Sequence, residues 1–312
     1  MSSAVTTQES SIQAQPVRSE IERRSLFKRA GAGLAGAAAM SALSAGGVAL
    51  SSGTASAAAA LTDADIFNFA LNLEYLEAEF YLRAATGSGL PDSAVTGTGT
   101  AGSVTGGTMV PFKSAAIASY AQRIAVDEQA HVLFIREVLG SAAVARPAID
   151  LTTSFTTLAV AAGLITQGQT FNPFADDVSF LLAAYIFEDV GVTAYAGAAA
   201  AIANKTYLTA AAGILATEAY HAGAIRTLLS DLGAGVATNA ISALRATLSG
   251  QADDVGTLLE ATGYTNAYNF IPNDINGLVY RRTTTQVLNI VYGGGAASGN
   301  LFFPNKLNGT IA

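Results

Sequence analysis

The two histidines of this chain, His131 and His221, each follow a glutamate by three positions, giving Glu128-x-x-His131 and Glu218-x-x-His221, and there is no third histidine. With 11 glutamates among 312 residues, chance would put a glutamate three positions before both histidines in roughly one such chain in a thousand. The likeness extends downstream, because Ile135-Arg136 follows the first pair at the spacing at which Ile225-Arg226 follows the second. The chain therefore reads as two copies of one helical unit. On a helix, residues at i and i+3 share a face, so each pair can offer a carboxylate and an imidazole to one metal ion.

Two such helices facing each other make half of a dinuclear site. The other half needs one further carboxylate from each of two more helices, as in the carboxylate four-helix bundles. Glu74 and Glu188 lie upstream of the two pairs, and each has a tyrosine seven residues on, Tyr81 and Tyr195, two turns along the same face. Glu77 is one turn from Glu74 and competes with it, but only Glu74 shares the tyrosine spacing with Glu188, which favours Glu74; Glu79 is expected to face solvent. Tyr81 and Tyr195 either hydrogen-bond the ligand carboxylates from behind, orienting them and tuning the metal, or serve as core aromatics with satisfied hydroxyls. Asp127, Arg136 and Arg226 could support the histidines or one another, with solvated salt bridges as the default. Phe67, Phe69, Phe134 and Phe187 are expected in the core.

Composition narrows the class. Sixteen Lys plus Arg stand against 23 Asp plus Glu, an acidic balance that argues against a nucleic-acid partner. Much of the apolar content is alanine, which suits closely packed helices, and few runs alternate with the period of a strand. Cysteine is absent, which excludes disulfides, thiolate nucleophiles, iron–sulfur clusters and zinc ribbons. Any metal is held by oxygen and imidazole nitrogen.

Residues 1–57 read as an export segment rather than fold. Arg23-Arg24-Ser25-Leu26-Phe27-Lys28 precedes an Ala/Gly run and a small-residue cleavage site at Ala55-Ser56-Ala57, which resembles a twin-arginine signal. The run is too weakly hydrophobic to favour a stable membrane span in the mature protein. Gly31-x-Gly33-x-x-Gly36 within it matches a dinucleotide-binding pattern but follows no strand, so it is read as spurious. The expected location is the periplasm or the extracellular space.

The remainder divides into a bundle over 58–234 and a C-terminal extension over 235–312. A Thr62/Asp63 cap predicts a first helix to about residue 85, with Gly87 as its stop, and residues 88–110 read as a long exposed loop. A second helix is expected from Pro111 to Leu139. A crossover with a short helix near 152–163 follows. The third helix is expected from Asp176/Asp177 to about Ile202, and the fourth from Asn204-Lys205 to Gly233. One more helix is expected over 236–249, and a helix or strand over 281–292. The extension is expected to pack on the bundle or to mediate assembly, leaving a homo-oligomer open.

At Glu74, Glu128-x-x-His131, Glu188 and Glu218-x-x-His221 the sequence resembles the ferritin-like superfamily. Arg282-Thr283-x-x-Gln286-Val287-Leu288-Asn289-Ile290-Val291-Tyr292 and Phe302-Phe303-Pro304 resemble its desiccation-related branch. The resemblance implies an all-α ferritin-like four-helix bundle with a long crossover between its second and third helices. It also implies a dinuclear iron or manganese centre, with Glu128 and Glu218 bridging and Glu74, Glu188, His131 and His221 terminal. Fold alone does not choose among iron storage, reduction of dioxygen or peroxide, and oxidation of organic substrates. The favoured expectation is a diiron protein of stress or desiccation whose partners are dioxygen or peroxide and ferrous ion. Two alternatives stay open: a non-catalytic stress protein whose metal only fastens helices, and a peroxide-dismutating protein resembling manganese catalase.

Overall fold

Each helix of the bundle begins where a short polar side chain can take up the free amides of a first turn. In the computed structural model, which describes residues 61–251, 254–258, 268–294 and 301–312, Thr62 opens α1 (Asp63–Thr86) with a capping box. Its hydroxyl accepts from the Asp65 amide at 3.2 Å, and the Asp65 carboxylate accepts from the Thr62 amide at 2.8 Å. Gly87 closes the helix at φ +81°, donating its amide to the Arg83 carbonyl, a left-handed position that favours glycine. Ser114 caps α2 (Ala115–Leu139) at the Ile117 amide, 3.3 Å away, so the helix starts after Pro111 rather than at it. Asp176 caps α4 (Asp177–Ala198) at the Ser179 amide, 2.8 Å, and Asn204 caps α5 (Lys205–Asp231) at the amides of Thr206 and Tyr207. The third bundle helix thus ends at Ala198, earlier than the expected residue 202. The expected export segment, residues 1–57, lies outside the described residues.

α1 and α2 form one hairpin and α4 and α5 the other, with α1 against α4 and α2 against α5. The crossover between them carries α3 (Thr153–Ala161) and β2 (Ile149–Asp150), which pairs in parallel with β1 (Val104–Thr105) of the α1–α2 loop. This is the all-α bundle expected from the sequence. The loop is less exposed than its composition suggests: Leu90, Ala94 and Val110 are buried, and Arg146 reaches back from the crossover to the Gly102 carbonyl at 2.8 Å.

The extension lies against the bundle. α6 (Gly235–Ser249) and α7 (Thr284–Val291) pack on each other and on α4. Phe302 packs edge-on against Phe155 of α3 and Phe187 of α4, at 5.2 and 5.1 Å between centroids. Asn72 of α1 exchanges two hydrogen bonds with the backbone of Asn308, at 2.8 and 3.1 Å. α1 and α4 are therefore enclosed on nearly all sides. α4 is long and apolar enough to cross a membrane, but its apolarity is that of a helix surrounded by protein, and Glu188 and Asp189 sit at its centre.

An ionic cluster under the extension corrects one expectation. Arg226 is fully buried rather than solvated: Asp189 accepts from its Nε and Nη2, both at 2.9 Å, and from Arg245 at 2.7 Å. Arg245 and Arg282 converge on Asp254 at 2.8 and 2.7 Å. The guanidiniums of Arg245 and Arg226 also lie 4.5 and 5.2 Å from the Tyr185 ring centroid. Glu79, expected in solvent, is likewise buried between Arg83 and Arg146, because the crossover covers that side of α1. Phe67, Phe69 and Phe187 lie in the core, whereas Phe134 is exposed.

Candidate metal centre

The helical i, i+3 spacing turns Glu128 and His131 of α2 inward, and Glu218 and His221 of α5 inward against them. Glu74 comes from the middle of α1 and Glu188 from the middle of α4. All six residues are buried, at 9% exposure or less. His131 Nδ1 stands 3.2 Å from Glu74, 3.3 Å from Glu128 and 3.4 Å from Glu218. His221 Nδ1 stands 3.0 Å from Glu128 and 3.4 Å from Glu188. The ligand atoms fall into two overlapping groups, Glu74, Glu128, His131 and Glu218, and Glu128, Glu188, Glu218 and His221. Glu128 and Glu218 belong to both, so they occupy the shared positions.

Only part of this closeness is hydrogen bonding: His131 Nδ1 bonds Glu74 and Glu128. Glu128 Oε1, Glu188 Oε2, both Glu218 oxygens and His221 Nδ1 are buried without a hydrogen-bond partner among the described residues, although several lie within 3.4 Å of one another. The atoms are near but misaligned, as lone pairs aimed at common points would be. A buried polar atom without a partner is costly, and four such carboxylate oxygens with one imidazole nitrogen in one pocket fit a site built around cations. Charge supports the same fit. Glu77 of α1 is also buried, so five carboxylates face two imidazoles, and oxygen with imidazole nitrogen suits iron, manganese or zinc.

The protonation pattern follows from this crowding. Burial, then the neighbouring Glu218 and Glu128, pushes the Glu77 carboxyl well above its ordinary range, and burial with Glu128 does the same to Glu218. Burial also raises Glu128. Glu74 is the exception: burial raises it, but the charge and hydrogen bond of His131 prevail and hold it low. Burial opposes the charged form of both histidines. Glu74 overrides it at His131, raising that imidazole, and Glu188 and Glu128 push His221 up to about 12. Protons on the imidazoles supply part of the positive charge the pocket requires.

The tyrosines bond the ligand carboxylates across the bundle, not along their own helices. Tyr81 of α1 donates its hydroxyl to Glu188 Oε1 of α4, and Tyr195 of α4 donates to Glu74 Oε1 of α1. Seven residues span about 10 Å of helix, too far for either tyrosine to reach its own glutamate, but antiparallel neighbours bring each beside the other's. Burial, together with the adjacent carboxylate, raises both phenols well above 10 and keeps them as donors.

The two halves differ behind the histidines and beside the bridging positions. Asp127 Oδ2 lies 3.3 Å from His221 Nε2 and also pairs with Arg123, so it orients that imidazole with Nδ1 inward; the matching residue before Glu218 is Thr217. Arg136 instead bonds the Tyr75 hydroxyl at 2.6 Å and the Thr96 carbonyl. Glu77 corresponds to Gly191 in the second unit, each three residues after its terminal glutamate. A Cβ on Gly191 would overlap Glu218 Oε2 and touch Glu77 Oε1 at 3.5 Å. The Glu74-x-x-Glu77 spacing carried the signal that Glu77 shares the ligand face.

Comparison with known proteins places the fold in a family. The profile of the ferritin-like domain matches residues 62–231. The chain belongs to the ferritin-like family. This ferritin-like chain is 34% identical over 247 residues, 73% of its length and 76% of the relative's, to the desiccation-related protein PCC13-62 of Craterostigma plantagineum. It is 30% identical over 270 residues, 80% of its length and 85% of the relative's, to the ferritin-like catalase Nec2 of Nesocodon mauritianus. These relatives support the desiccation-related branch read from the C-terminal residues. No solved structure matches the chain.

Proposed function

We propose that this ferritin-like protein holds a carboxylate-bridged pair of redox metal ions and uses it to consume peroxide. The single observation that carries the reading is the set of buried, unpartnered ligand atoms on Glu128, Glu188, Glu218 and His221. Glu74 and His131 would hold one ion, Glu188 and His221 the other, and Glu128 and Glu218 both. Iron is the first metal to load and manganese the second, since the donor set suits either. When bound, such a pair supplies two electrons at adjacent ions to an oxidant.

The chain's own residues then have defined tasks. Tyr81 and Tyr195 fix the orientation of the terminal carboxylates, and Asp127 fixes His221. Enclosure of all six ligands excludes bulk water, which strengthens every charge interaction in the pocket. The protons held on the imidazoles leave when metal enters, so loading releases acid. A relative named as a catalase favours dismutation, in which one hydrogen peroxide is reduced to two waters while a second is oxidised to dioxygen, with no external reductant.

The test is oxygen evolution from hydrogen peroxide by protein loaded separately with iron and with manganese. Release of one dioxygen for every two peroxides consumed, with either metal, is the expected result. Both metals bound with no peroxide consumed would overturn the enzymatic reading and leave the metal as a fastener of helices. Residues 1–57 are proposed to export the protein by the twin-arginine route, and Arg23→Lys/Arg24→Lys should retain it inside the cell.

A further inference from the structure

The six ligand side chains are almost fully enclosed, so a reactant must reach them through protein. Two small apolar cavities lead from the surface toward them. The inner one, about 20 Å³, is bounded by Leu73, Glu77, Ile186, Phe187, Gly191 and Ile290. Its polar end is at the cluster, because Gly191 stands directly against Glu218 and beside Glu77. The outer one, also about 20 Å³, is bounded by Phe155, Leu158, Leu244 and Leu248 together with the same Ile186 and Ile290. Leu244 and Leu248 are only half-buried, so this cavity reaches the surface. Ile186 of α4 and Ile290 of α7 form the partition between the two.

We propose that these cavities are the access route by which a small neutral oxidant, hydrogen peroxide or dioxygen, reaches the cluster, with Ile186 and Ile290 as its gate; the proposal rests on the metal-centre reading above. Each cavity has room for about one water-sized molecule, which bars an organic substrate. The outer cavity exposes apolar surface alone, so a hydrated ferrous ion would lose its water there and gain no ligand. Dioxygen has no such cost, and neutral hydrogen peroxide, although its hydroxyls give up hydrogen bonds to water, loses far less than a hydrated dication. Gly191 keeps the inner end open where its counterpart in the first unit carries the Glu77 side chain. Ile290 belongs to the C-terminal extension, so the route exists only where the extension packs on the bundle, and residues beyond 235 acquire a role that the bundle alone could not supply.

The test uses nitric oxide, a neutral two-atom probe, mixed in a stopped-flow instrument with the ferrous-loaded protein. Ile290→Phe should slow its association about tenfold or more, with metal content and the final spectrum unchanged. Ile290→Ala should speed it. Rates unchanged in both variants would overturn the route, and Ile290→Ala alone decides the matter if the larger side chain prevents folding. Crystals of the unaltered protein under xenon pressure give a reading independent of metal: xenon in both cavities is expected, and cavities without xenon would overturn the proposal. Failure to bind both iron and manganese would sink the proposed function while leaving the xenon result to judge the route.

Discussion

Replacing Tyr81 by phenylalanine removes one hydroxyl from the wall of the cluster. That hydroxyl is donated to Glu188 Oε1, and Glu188 Oε2 has no hydrogen-bond partner among the described residues, so Glu188 would lose the contact that fixes its plane. A hydrogen bond to an ionised group contributes about 1.5–3 kcal/mol, and about 1.4 kcal/mol is tenfold in an equilibrium constant. Tyr81→Phe should therefore weaken metal binding roughly 10- to 100-fold, the range expected when a group supporting a metal ligand is lost. The loss should fall on the position made by Glu188 and His221. Competition titration against a chelator, arranged as double-mutant cycles, can locate it. Tyr81→Phe should couple to Glu188→Gln by about 0.5–3 kcal/mol, and should be additive with Glu74→Gln to within about 0.5 kcal/mol, although Tyr81 and Glu74 share a helix. Coupling to Glu74 in place of Glu188, or no loss of affinity, would refute the crosswise arrangement.

Three further outcomes follow from other parts of the structure. Asp189→Asn strips the buried Arg226 and Arg245 of their shared carboxylate and should cost about 3–5 kcal/mol, which calorimetry should register as a melting temperature lower by roughly 6–20 °C. Burial raises the Asp189 carboxyl, but Arg226 and Arg245 prevail and hold it below its ordinary value. Its contribution is therefore present above the unfolded pKa of about 3.9 and is lost as pH falls through the lower folded value. The stability gap between wild type and Asp189→Asn should accordingly be constant from about pH 5 to 8 and close below about pH 4; a gap that widens on acidification would contradict this. Gly191→Ala should displace the Glu218 carboxylate and lower the metal content measured by mass spectrometry, while circular dichroism shows the helices retained.

The parts of the site that obey helical spacing were legible in the sequence. Glu128 and His131, Glu218 and His221, and Glu74 and Glu188 are brought together because i, i+3 pairs and repeated units carry their geometry with them. The cap at Thr62 and the helix starts at Asp176 and Asn204 were legible for the same local reason. Features that depend on distant chain segments were not. Arg226 and Glu79 looked like surface charges because nothing near them in sequence announces that α6 and α7, or Arg146 of the crossover, will cover them. Phe134 looked like core, but no element among the described residues covers it on α2. Asp127 was open to supporting a histidine, but its position beside Glu128 could not say that the imidazole it meets is His221 of α5. The direction of the tyrosine bonds required the antiparallel placement of α1 and α4, which spacing along one helix cannot give. Glu77 was readable from its spacing to Glu74, and yielded to Glu74 only because Glu74 alone shares with Glu188 a tyrosine seven residues on.

The central claim is that two metal ions sit among these six residues. Mass spectrometry of the natively exported protein, beside a Glu128→Ala/Glu218→Ala variant, tests it most directly. About two iron or manganese ions per chain, lost from the variant, is the result the shared positions of Glu128 and Glu218 predict; a metal-free or zinc-only protein, with stability unchanged in the variant, would contradict it.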